Sequence, residues 1–476
     1  MLKIYNSLTR KVEEFTPLNS DEVKMYTCGP TVYDYASIGN FRTYTVADVL
    51  YRTLRFNGYK VKYVMNLTDV GHLTGDNQGD ADTGEDRMEK GAKREGKTAW
   101  QIADFYSKAF LSDFKKLNLS QPTLFARATD HIKEQVELIK NLESKGLTYR
   151  IDDGIYFDIK KFEEATGKKY GQLSDLDEIK EGARVSKNLQ KKDPRDFALW
   201  KLSNNPGERH MEWESPWGIG FPGWHLECSA MSMKYLGESF DIHAGGEDLK
   251  QIHHPNEIAQ SEGATGKLFV KYWLHVRFLL VEGKKMSKSL GNFYTVSDVE
   301  KKKINPIALR YLYLNAHYQD PLNFTWEALE SAQNTLSNLY SIAREIKNEN
   351  ESERKTLSEE KMQKIDSFRQ DFISSINDNL NAPKALAVLW AVVKSNIPSS
   401  DKLDLMYLFD EVLGLKIAEI SSAGAEIPQK ILSLNAQRDE FRKKGDYLNA
   451  DKLRKEIELK GYKIIDTREG SRILKA

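Results

Sequence analysis

Residues 23–66, VKMYTCGPTVYDYASIGNFRTYTVADVLYRTLRFNGYKVKYVMN, contain the pattern that decides the fold. Residues 23–28 are predicted to form a short buried strand, and residues 59–66 a second strand. Between them, apolar residues at helical spacing predict a helix over residues 39–57, and Gly58 stands where a helix commonly ends. A strand, a helix and a strand in this order form a βαβ unit, the building block of parallel nucleotide-binding sheets.

The stretch KMSKSLGN, residues 285–292, predicts a phosphate-binding loop. Lys285 and Lys288 are three positions apart on a polar segment followed by a glycine, so two ammonium groups can surround one polyphosphate. This arrangement suits the charge that develops on a departing pyrophosphate. Taken alone, such a segment could equally be an exposed charged turn. The prediction therefore requires that other parts of a nucleotide-binding site are present elsewhere in the chain.

The start of the helix predicted over residues 39–57 is a second part of the nucleotide-binding site. At Gly39 a nucleotide can approach the backbone and the positive end of the helix. The side chains of Ser37 and Asn40 can both reach phosphate oxygens. A serine before a helix is also an ordinary N-cap, and the two roles are compatible.

Composition limits the possible classes of protein. The chain has 476 residues, about three domains at the usual domain size, and 40% of its residues are hydrophobic. Lysine plus arginine and aspartate plus glutamate both number 70, so net charge does not identify a nucleic-acid partner. We find neither a signal peptide nor an apolar run long enough to span a membrane. Without an export signal, the chain is expected in the reducing cytoplasm, so its two cysteines are predicted to be free or bound to metal, with a single disulfide as the alternative.

Four distant residues form a possible metal-binding set. His253 and Glu257 lie four positions apart on a predicted helix and therefore share a face. Cys28 ends the first strand, and Cys228 follows the segment GWHLE. Two thiolates, an imidazole and a carboxylate are suitable zinc ligands. Because the spacing is scattered, the residues alone favour the alternative of buried free cysteines.

Six motifs follow one another in a specific order. They are CGPTVYD at 28–34, SIGN at 37–40, GWHLECS at 223–229, GGED at 245–248, HH at 253–254 and KMSKS at 285–289. In this order they resemble cysteinyl-tRNA synthetases, a family of class I aminoacyl-tRNA ligases. The resemblance covers essentially the whole chain, including DPRDFALWK at 193–201 and DTREG at 466–470. Each motif is modest evidence, whereas the ordered set is highly specific.

The resemblance implies an α/β fold: an interrupted Rossmann-like parallel-sheet catalytic domain with an inserted connective domain, a mainly helical tRNA-binding region and a small C-terminal domain. The predicted boundaries are 1–121 and 202–284 for the two halves of the catalytic domain, 122–201 for the insertion, 285–325 for the lysine loop and stem-contact region, 326–420 for the anticodon-binding domain and 421–476 for the C-terminal domain. The implied reaction is ATP-dependent ligation of L-cysteine to tRNA(Cys) through a cysteinyl adenylate, by a cytoplasmic monomer.

The resemblance also implies one zinc ion per chain, held by Cys28, Cys228, His253 and Glu257, with the sulfur of the substrate as a further ligand. A free thiol, with a pKa of ~8.5, yields its proton readily to a metal, whereas a serine hydroxyl does not. Selectivity would then come from coordination chemistry, without an editing domain.

The remaining site residues follow from the same resemblance. Positions lining the amino-acid pocket correspond to Thr68, Trp224 and His243, although core packing is an alternative role for Trp224. ATP would arrive with Mg²⁺ and contact Ile38, Gly39, Lys285 and Lys288, with Lys288 as the more direct ligand.

One residue departs from the family pattern. The first signature usually begins with histidine, and here that position is Ser37. Serine carries no positive charge, so we expect a slower adenylation step or compensation by closer loop contacts. Two other functions remain open: a ligase that joins cysteine to a small amine, and a non-catalytic tRNA-binding relative. The helical region from Trp326 onward argues against the first, and the intact lysine motif argues against the second.

Overall fold

The computed structural model of the protein describes residues 1–70, 73, 85–174, 189–288, 290–349, 357–422, 429–467 and 470–475. Ser289 of the KMSKS motif lies outside these residues. The strands are β1 (Lys3–Asn6), β2 (Lys11–Glu14), β3 (Val23–Thr27), β4 (Val61–Leu67), β5 (Leu124–Arg127), β6 (Thr148–Ile151), β7 (Gly154–Phe157), β8 (Phe197–Leu202), β9 (Gly220–Pro222), β10 (Phe240–Gly246), β11 (Val270–Val276), β12 (Leu279–Val281), β13 (Lys284–Lys285), β14 (Leu322–Phe324), β15 (Tyr462–Thr467) and β16 (Gly470–Lys475).

Helices follow most of these strands and form nearly all of the region after β14. They are α1 (Ile38–Phe56), α2 (Arg87–Glu95), α3 (Ala99–Lys116), α4 (Ile132–Ser144), α5 (Ile159–Thr166), α6 (Trp224–Leu236), α7 (His253–Thr265), α8 (Val296–Lys301), α9 (Pro306–Leu314), α10 (Trp326–Glu349), α11 (Glu359–Asn377), α12 (Ala382–Lys394), α13 (Ser399–Leu413), α14 (Ile417–Ser422), α15 (Gln429–Lys443) and α16 (Tyr447–Leu459).

The predicted βαβ unit is present as β3, α1 and β4. β3 and β4 pair in parallel, from Val23 with Val61 to Thr27 with Met65. α1 ends at Phe56 with Asn57 as its C-cap, and Gly58 then adopts a φ of 87°, a left-handed conformation that favours glycine.

The central sheet has the strand order β11-β10-β3-β4-β5, and every neighbouring pair in it is parallel. This confirms the predicted Rossmann-like fold class. The chain reverses its order of strand addition between β3 and β10, and in parallel sheets such a switch point places ligands at the carboxyl ends of the strands.

An antiparallel sheet of order β6-β7-β8-β9 interrupts the central sheet in sequence. Its packed residues form a separate apolar core, which also includes Leu226 and Ala230 of α6 and Ala259 of α7. Other residues of these helices, Cys228 and Ile258, pack in the main core with the central sheet. α6 and α7 are therefore held between the two sheets.

The predicted domain boundaries stay predictions. β5 belongs to the central sheet although it follows residue 121, and β9 extends the antiparallel sheet beyond residue 201. In the C-terminal region, α15, α16 and the β15–β16 hairpin share a small core of their own. No helix of the described residues is long and apolar enough to cross a membrane.

Candidate active site and metal centre

The site lies where β3, β10, α6 and α7 meet. Cys28 directly follows β3, and its N–H donates to the carbonyl of Ala244 in β10 at 3.1 Å. Gly29 is required at the next position, because a Cβ there would lie 1.8 Å from the carbonyl oxygen of Asn66. The close approach of two strand ends thus fixes the direction of the Cys28 thiol.

The structure brings together the four predicted metal ligands, Cys28, Cys228, His253 and Glu257. Their donor atoms all lie within 4.8 Å of one another, and all four residues are buried. The Sγ atoms of the cysteines are 3.6 Å apart, and Sγ of Cys28 is 3.6 Å from Oε1 of Glu257. Tetrahedral zinc with Zn–S bonds of about 2.3 Å would separate two sulfur ligands by about 3.8 Å. The donor set therefore fits zinc in both chemistry and spacing.

A second set of donors shares two members with the first. Cys28, His243, His254 and Glu257 also offer donor atoms within 4.8 Å of one another. Nδ1 of His254 is 2.8 Å from Nε2 of His275, whereas Nε2 faces Sγ of Cys28 at 3.5 Å. The set with two sulfurs is the stronger zinc site, because thiolate is the softer ligand.

Charges within the site favour a thiolate. Burial raises the pKa of Cys228, but contacts with Cys28 and His253 outweigh it and bring that pKa to about 6. Burial would lower the pKa of His253, whereas Cys228 and Glu257 raise it to about 10. Burial opposes ionisation of Glu257, yet His243 and His253 lower its pKa to about 2. Cys228 and Glu257, the two anionic groups that keep the proton on His253, would also stabilise a metal cation bound between them.

His225 orients one of the predicted ligands, His253. Its Nδ1 lies 2.8 Å from Nδ1 of His253, which leaves Nε2 of His253 directed toward Glu257 at 3.1 Å. Such a contact on the second ring nitrogen commonly fixes the orientation of a metal-binding histidine. Sequence reasoning did not assign this residue, although it lies inside the GWHLECS motif.

Two of the three predicted pocket residues contact the predicted metal ligands. The rings of Trp224 and His253 are 4.4 Å apart. His243 stacks on Trp273 at 4.6 Å, and its Nε2 lies 3.0 Å from Oε2 of Glu257.

The third predicted pocket residue, Thr68, directly follows β4. Its Oγ1 accepts a hydrogen bond of 2.9 Å from the amide of Asn66. The Thr68 hydroxyl also bonds Glu227, which partly offsets the rise in the pKa of Glu227 that burial and Cys228 cause. Thr68 is thereby joined to the residue before Cys228.

The start of α1 is closed by a capping box. The hydroxyl of Ser37 donates to Oδ1 of Asn40 at 2.7 Å and accepts from the N–H of Asn40 at 3.1 Å. The N-cap role predicted for Ser37 is confirmed. The N–H of Ile38 donates to the carbonyl of Tyr294 at 2.9 Å, so the chain beyond the lysine motif lies against this helix end.

The lysine motif lies over the same helix end. Met286 Cε is 3.7 Å from the position that a Cβ on Gly39 would occupy. Lys288 forms an ion pair with Asp34, and the ring centroid of Phe293 lies 4.8 Å from its Nζ. The two predicted phosphate-binding segments are thus brought together by the fold. Sequence reasoning missed Asp34 as a partner, although it belongs to the first motif.

Known proteins resemble the chain in sequence and in structure. Residues 14–334 match the profile of the family described as tRNA synthetases class I (C) catalytic domain. Methionyl-tRNA synthetase of Mycobacterium tuberculosis, solved with methionyl-adenylate, has a similar fold: the TM-score is 0.55 at 15% identity, over 84% of this chain and 90% of that one. The fold and the matched family define a class I aminoacyl-tRNA synthetase.

Curated relatives specify the family further. Cysteine–tRNA ligase 1 of Burkholderia lata is 44% identical over 99% of this chain and 96% of its own length. The cysteine–tRNA ligases of Treponema denticola and Borreliella burgdorferi are 44% and 37% identical, over 98% and 99% of this chain and 97% and 99% of their own lengths. The chain belongs to the cysteine–tRNA ligases. The family and the enzyme class predicted from the ordered motifs are confirmed.

Proposed function

We propose that the protein ligates L-cysteine to tRNA(Cys) with ATP, through a cysteinyl adenylate, and identifies its amino acid with a zinc ion. The observation that carries this proposal is the convergence of Cys28, Cys228, His253 and Glu257 to within 4.8 Å. When bound, zinc would offer the substrate thiolate a coordination site that a serine hydroxyl fills poorly.

The pocket residues hold and shield the substrate. Trp224 and His243 flank the ligand set on different sides, one against His253 and the other against Glu257. Both are positioned to exclude water from the thiol. Thr68 lies at the end of the adjacent strand, and its hydroxyl bonds Glu227, the residue before Cys228.

Adenylation is a displacement at phosphorus. A carboxylate oxygen of cysteine attacks the α-phosphate of ATP, the bond between the α-phosphorus and its bridging oxygen breaks, and pyrophosphate leaves. Ile38 and Gly39 supply the positive helix end, and Lys285 and Lys288 neutralise the departing charge. Mg²⁺ would accompany the phosphates.

Lys288 must exchange partners during this step. Its ammonium pairs with the carboxylate of Asp34 in the structure, and pyrophosphate oxygens would take the place of that carboxylate. Arg94 also contacts Asp34, at 3.2 Å, so the carboxylate keeps a cationic partner after Lys288 moves. The exchange therefore leaves no unpaired charge behind.

In the second step, a ribose hydroxyl at the end of the tRNA attacks the cysteinyl carbonyl and AMP leaves. The helical region at 326–420 and the domain at 421–476 are proposed to hold the tRNA. Residues 427–476 contain 13 Lys or Arg and 8 Asp or Glu, an excess of positive charge that suits phosphate contacts. We propose that the protein acts as a cytoplasmic monomer.

The test measures zinc content and ATP–pyrophosphate exchange on the purified protein, with cysteine and with serine. We expect about one zinc per chain and a preference for cysteine on the order of 10⁴ or more. Removal of the metal by a chelator should abolish the exchange with cysteine.

Two outcomes separate the alternative functions. If the metal-loaded protein catalyses no ATP–pyrophosphate exchange, the result favours the alternative of a non-catalytic tRNA-binding relative. Exchange without charging of tRNA(Cys) would favour a ligase with a small acceptor.

A further inference from the structure

Arg42 is a buried cation held entirely by main-chain oxygens. It lies one turn into α1 and is 1% exposed. Nη1 donates to the carbonyls of Arg277 and Phe278, both at 2.8 Å. Nη2 donates to the carbonyls of His317 and Asp320, at 3.1 and 2.6 Å.

This burial is costly for the fold. Loss of water lowers the pKa of Arg42 to about 10, and the nearby Tyr313 and Asp320 offset it only in part. An apolar side chain of similar volume avoids this cost. Only a planar guanidinium, however, can donate in parallel to two separate segments of chain. The geometry, rather than stability alone, therefore accounts for an arginine here.

Both segments form the base of the sheet that carries the lysine motif. Arg277 and Phe278 lead directly into β12, whose antiparallel partner β13 ends at Lys285. His317 and Asp320 precede β14, which pairs with the other side of β12. The ring of Phe278 lies 5.2 Å from Nζ of Lys285. Arg42 thus holds the backbone of the residue against which Lys285 rests.

A second tether fixes the far side of the motif. Tyr313 of α9 donates from its hydroxyl to the carbonyl of Ile38 at 2.5 Å. The N–H of Ile38 in turn donates to the carbonyl of Tyr294, just beyond the motif. The chain therefore enters and leaves the lysine segment at two points that are bonded to the same helix.

We propose that Arg42 is a positioning residue for phosphate binding: through the main chain of Arg277 and Phe278, it sets the distance between Lys285 and the start of α1. This inference rests on the proposed role of the lysine motif. It assigns Arg42 no contact with ATP, and its effect passes through the hairpin of β12 and β13.

The test compares Arg42→Lys with Arg310→Lys. Arg310 is equally buried and also bonds main-chain oxygens, those of Leu413, Leu117 and Asn118, but it pairs with Asp48 near the middle of α1. Each lysine keeps the charge and loses the planar fork. We measure the melting temperature, the KM for ATP and for cysteine in pyrophosphate exchange, and the rate of tryptic cleavage after Lys284 and Lys285.

In Arg42→Lys, the KM for ATP should rise between about tenfold and a hundredfold, with the KM for cysteine unchanged. Cleavage after Lys285 should be faster than in the wild type. In Arg310→Lys, the melting temperature should fall by a similar amount while the KM for ATP and the cleavage rate stay at wild-type values.

An unchanged KM for ATP in folded Arg42→Lys, or an equal rise in Arg310→Lys, overturns the proposal. If Arg42→Lys does not fold, Phe278→Leu takes its place, since it removes the ring beside Lys285 and leaves Arg42 intact. A wild-type KM for ATP in that variant also overturns the proposal. Absence of exchange in the wild type would instead refute the proposed function, so the two failures are distinguishable.

Discussion

Cys28 and Cys228 are 200 positions apart in the chain, and their Sγ atoms lie 3.6 Å apart in the fold. One thiol follows a strand and the other lies on a helix, so the pair exists only when both halves of the central sheet are assembled. Their proximity to Glu257 and His253 makes the metal proposal directly testable by substitution.

Cys228→Ser should lose most of its zinc and its cysteine-dependent pyrophosphate exchange. The serine hydroxyl does not ionise near neutral pH, so the site keeps its shape but lacks a thiolate ligand. Metal analysis of the purified variant and the exchange assay provide the measurement. Ser229→Ala is the matched control, since the neighbouring Ser229 hydroxyl makes two long contacts, donating to the Glu257 carbonyl and accepting from the Gln260 amide, both at 3.4 Å. Full zinc content in Cys228→Ser would contradict the proposed ligand set.

Gly39→Ala should keep its stability and lose affinity for ATP. A Cβ at Gly39 would lie 3.4 Å from Ser37 Oγ, an ordinary contact, and alanine is favoured over glycine in a helix by up to about 1 kcal/mol. The added methyl group would nevertheless cover backbone that the phosphates approach. Chemical denaturation and the KM for ATP test the two effects separately.

Gly91→Ala is the control for this substitution. Gly91 lies on α2, and a Cβ there also has its nearest neighbour at 3.4 Å, on Ile102. It should leave the KM for ATP unchanged. An unaltered KM in Gly39→Ala would mean that the nucleotide does not approach this part of the helix.

Ser37→His should accelerate adenylation and destabilise the fold. An imidazolium would stabilise the departing pyrophosphate better than a neutral hydroxyl. The capping box with Asn40 would be lost, at about 1 kcal/mol of unfolding free energy. Single-turnover adenylation and urea denaturation measure the two changes. Ser37→Ala, which loses the cap without adding a cation, serves as the comparison, and an unchanged or lower rate in Ser37→His would remove Ser37 as the limiting residue.

Stability should depend on pH through Asp410. Asp410 is half-buried, and its carboxylate accepts N–H bonds from Leu415 and Ile417; loss of water around the carboxylate raises its pKa from 3.8 to about 6. The folded state binds the proton more tightly than the unfolded state. The protonated Asp410 therefore contributes fully to the free energy of unfolding below about pH 4. This contribution is lost as the pH rises toward 6, by up to about 1.4 kcal/mol per pH unit.

Asp410→Asn tests this by removing the titration. Urea denaturation of both proteins across the pH range from about 4 to 7 should show the wild type losing stability relative to the variant as the pH rises. A constant difference across this range would show that Asp410 is ionised throughout in the folded protein.

The sequence predicted those features that depend on local pattern or on residue type. Apolar spacing located β3, α1 and β4 to within a few residues, because period and capping are local properties. The ordered motifs predicted four donors, and the fold brings the donor atoms of these four residues within 4.8 Å of one another. Spacing alone did not distinguish them from the overlapping set that includes His243 and His254.

The contacts of Arg42 have no sequence signature. Its partners are carbonyl oxygens of four residues, and every residue type has such an oxygen. The pairing of Asp34 with Lys288 could not be predicted from the sequence either, because 254 positions separate the two residues and both are of common type. Long-range contacts of this kind depend on the packed backbone rather than on local propensity.

The distance of 229 positions between Cys28 and Glu257 has a consequence for biosynthesis. On the ribosome, the first donor emerges long before the last, and the whole antiparallel sheet is synthesised in between. A nascent chain can therefore capture its ion only after more than half of it has been translated. Acquisition of zinc would mark the moment at which the split domain closes, and a truncated polypeptide would be released without it.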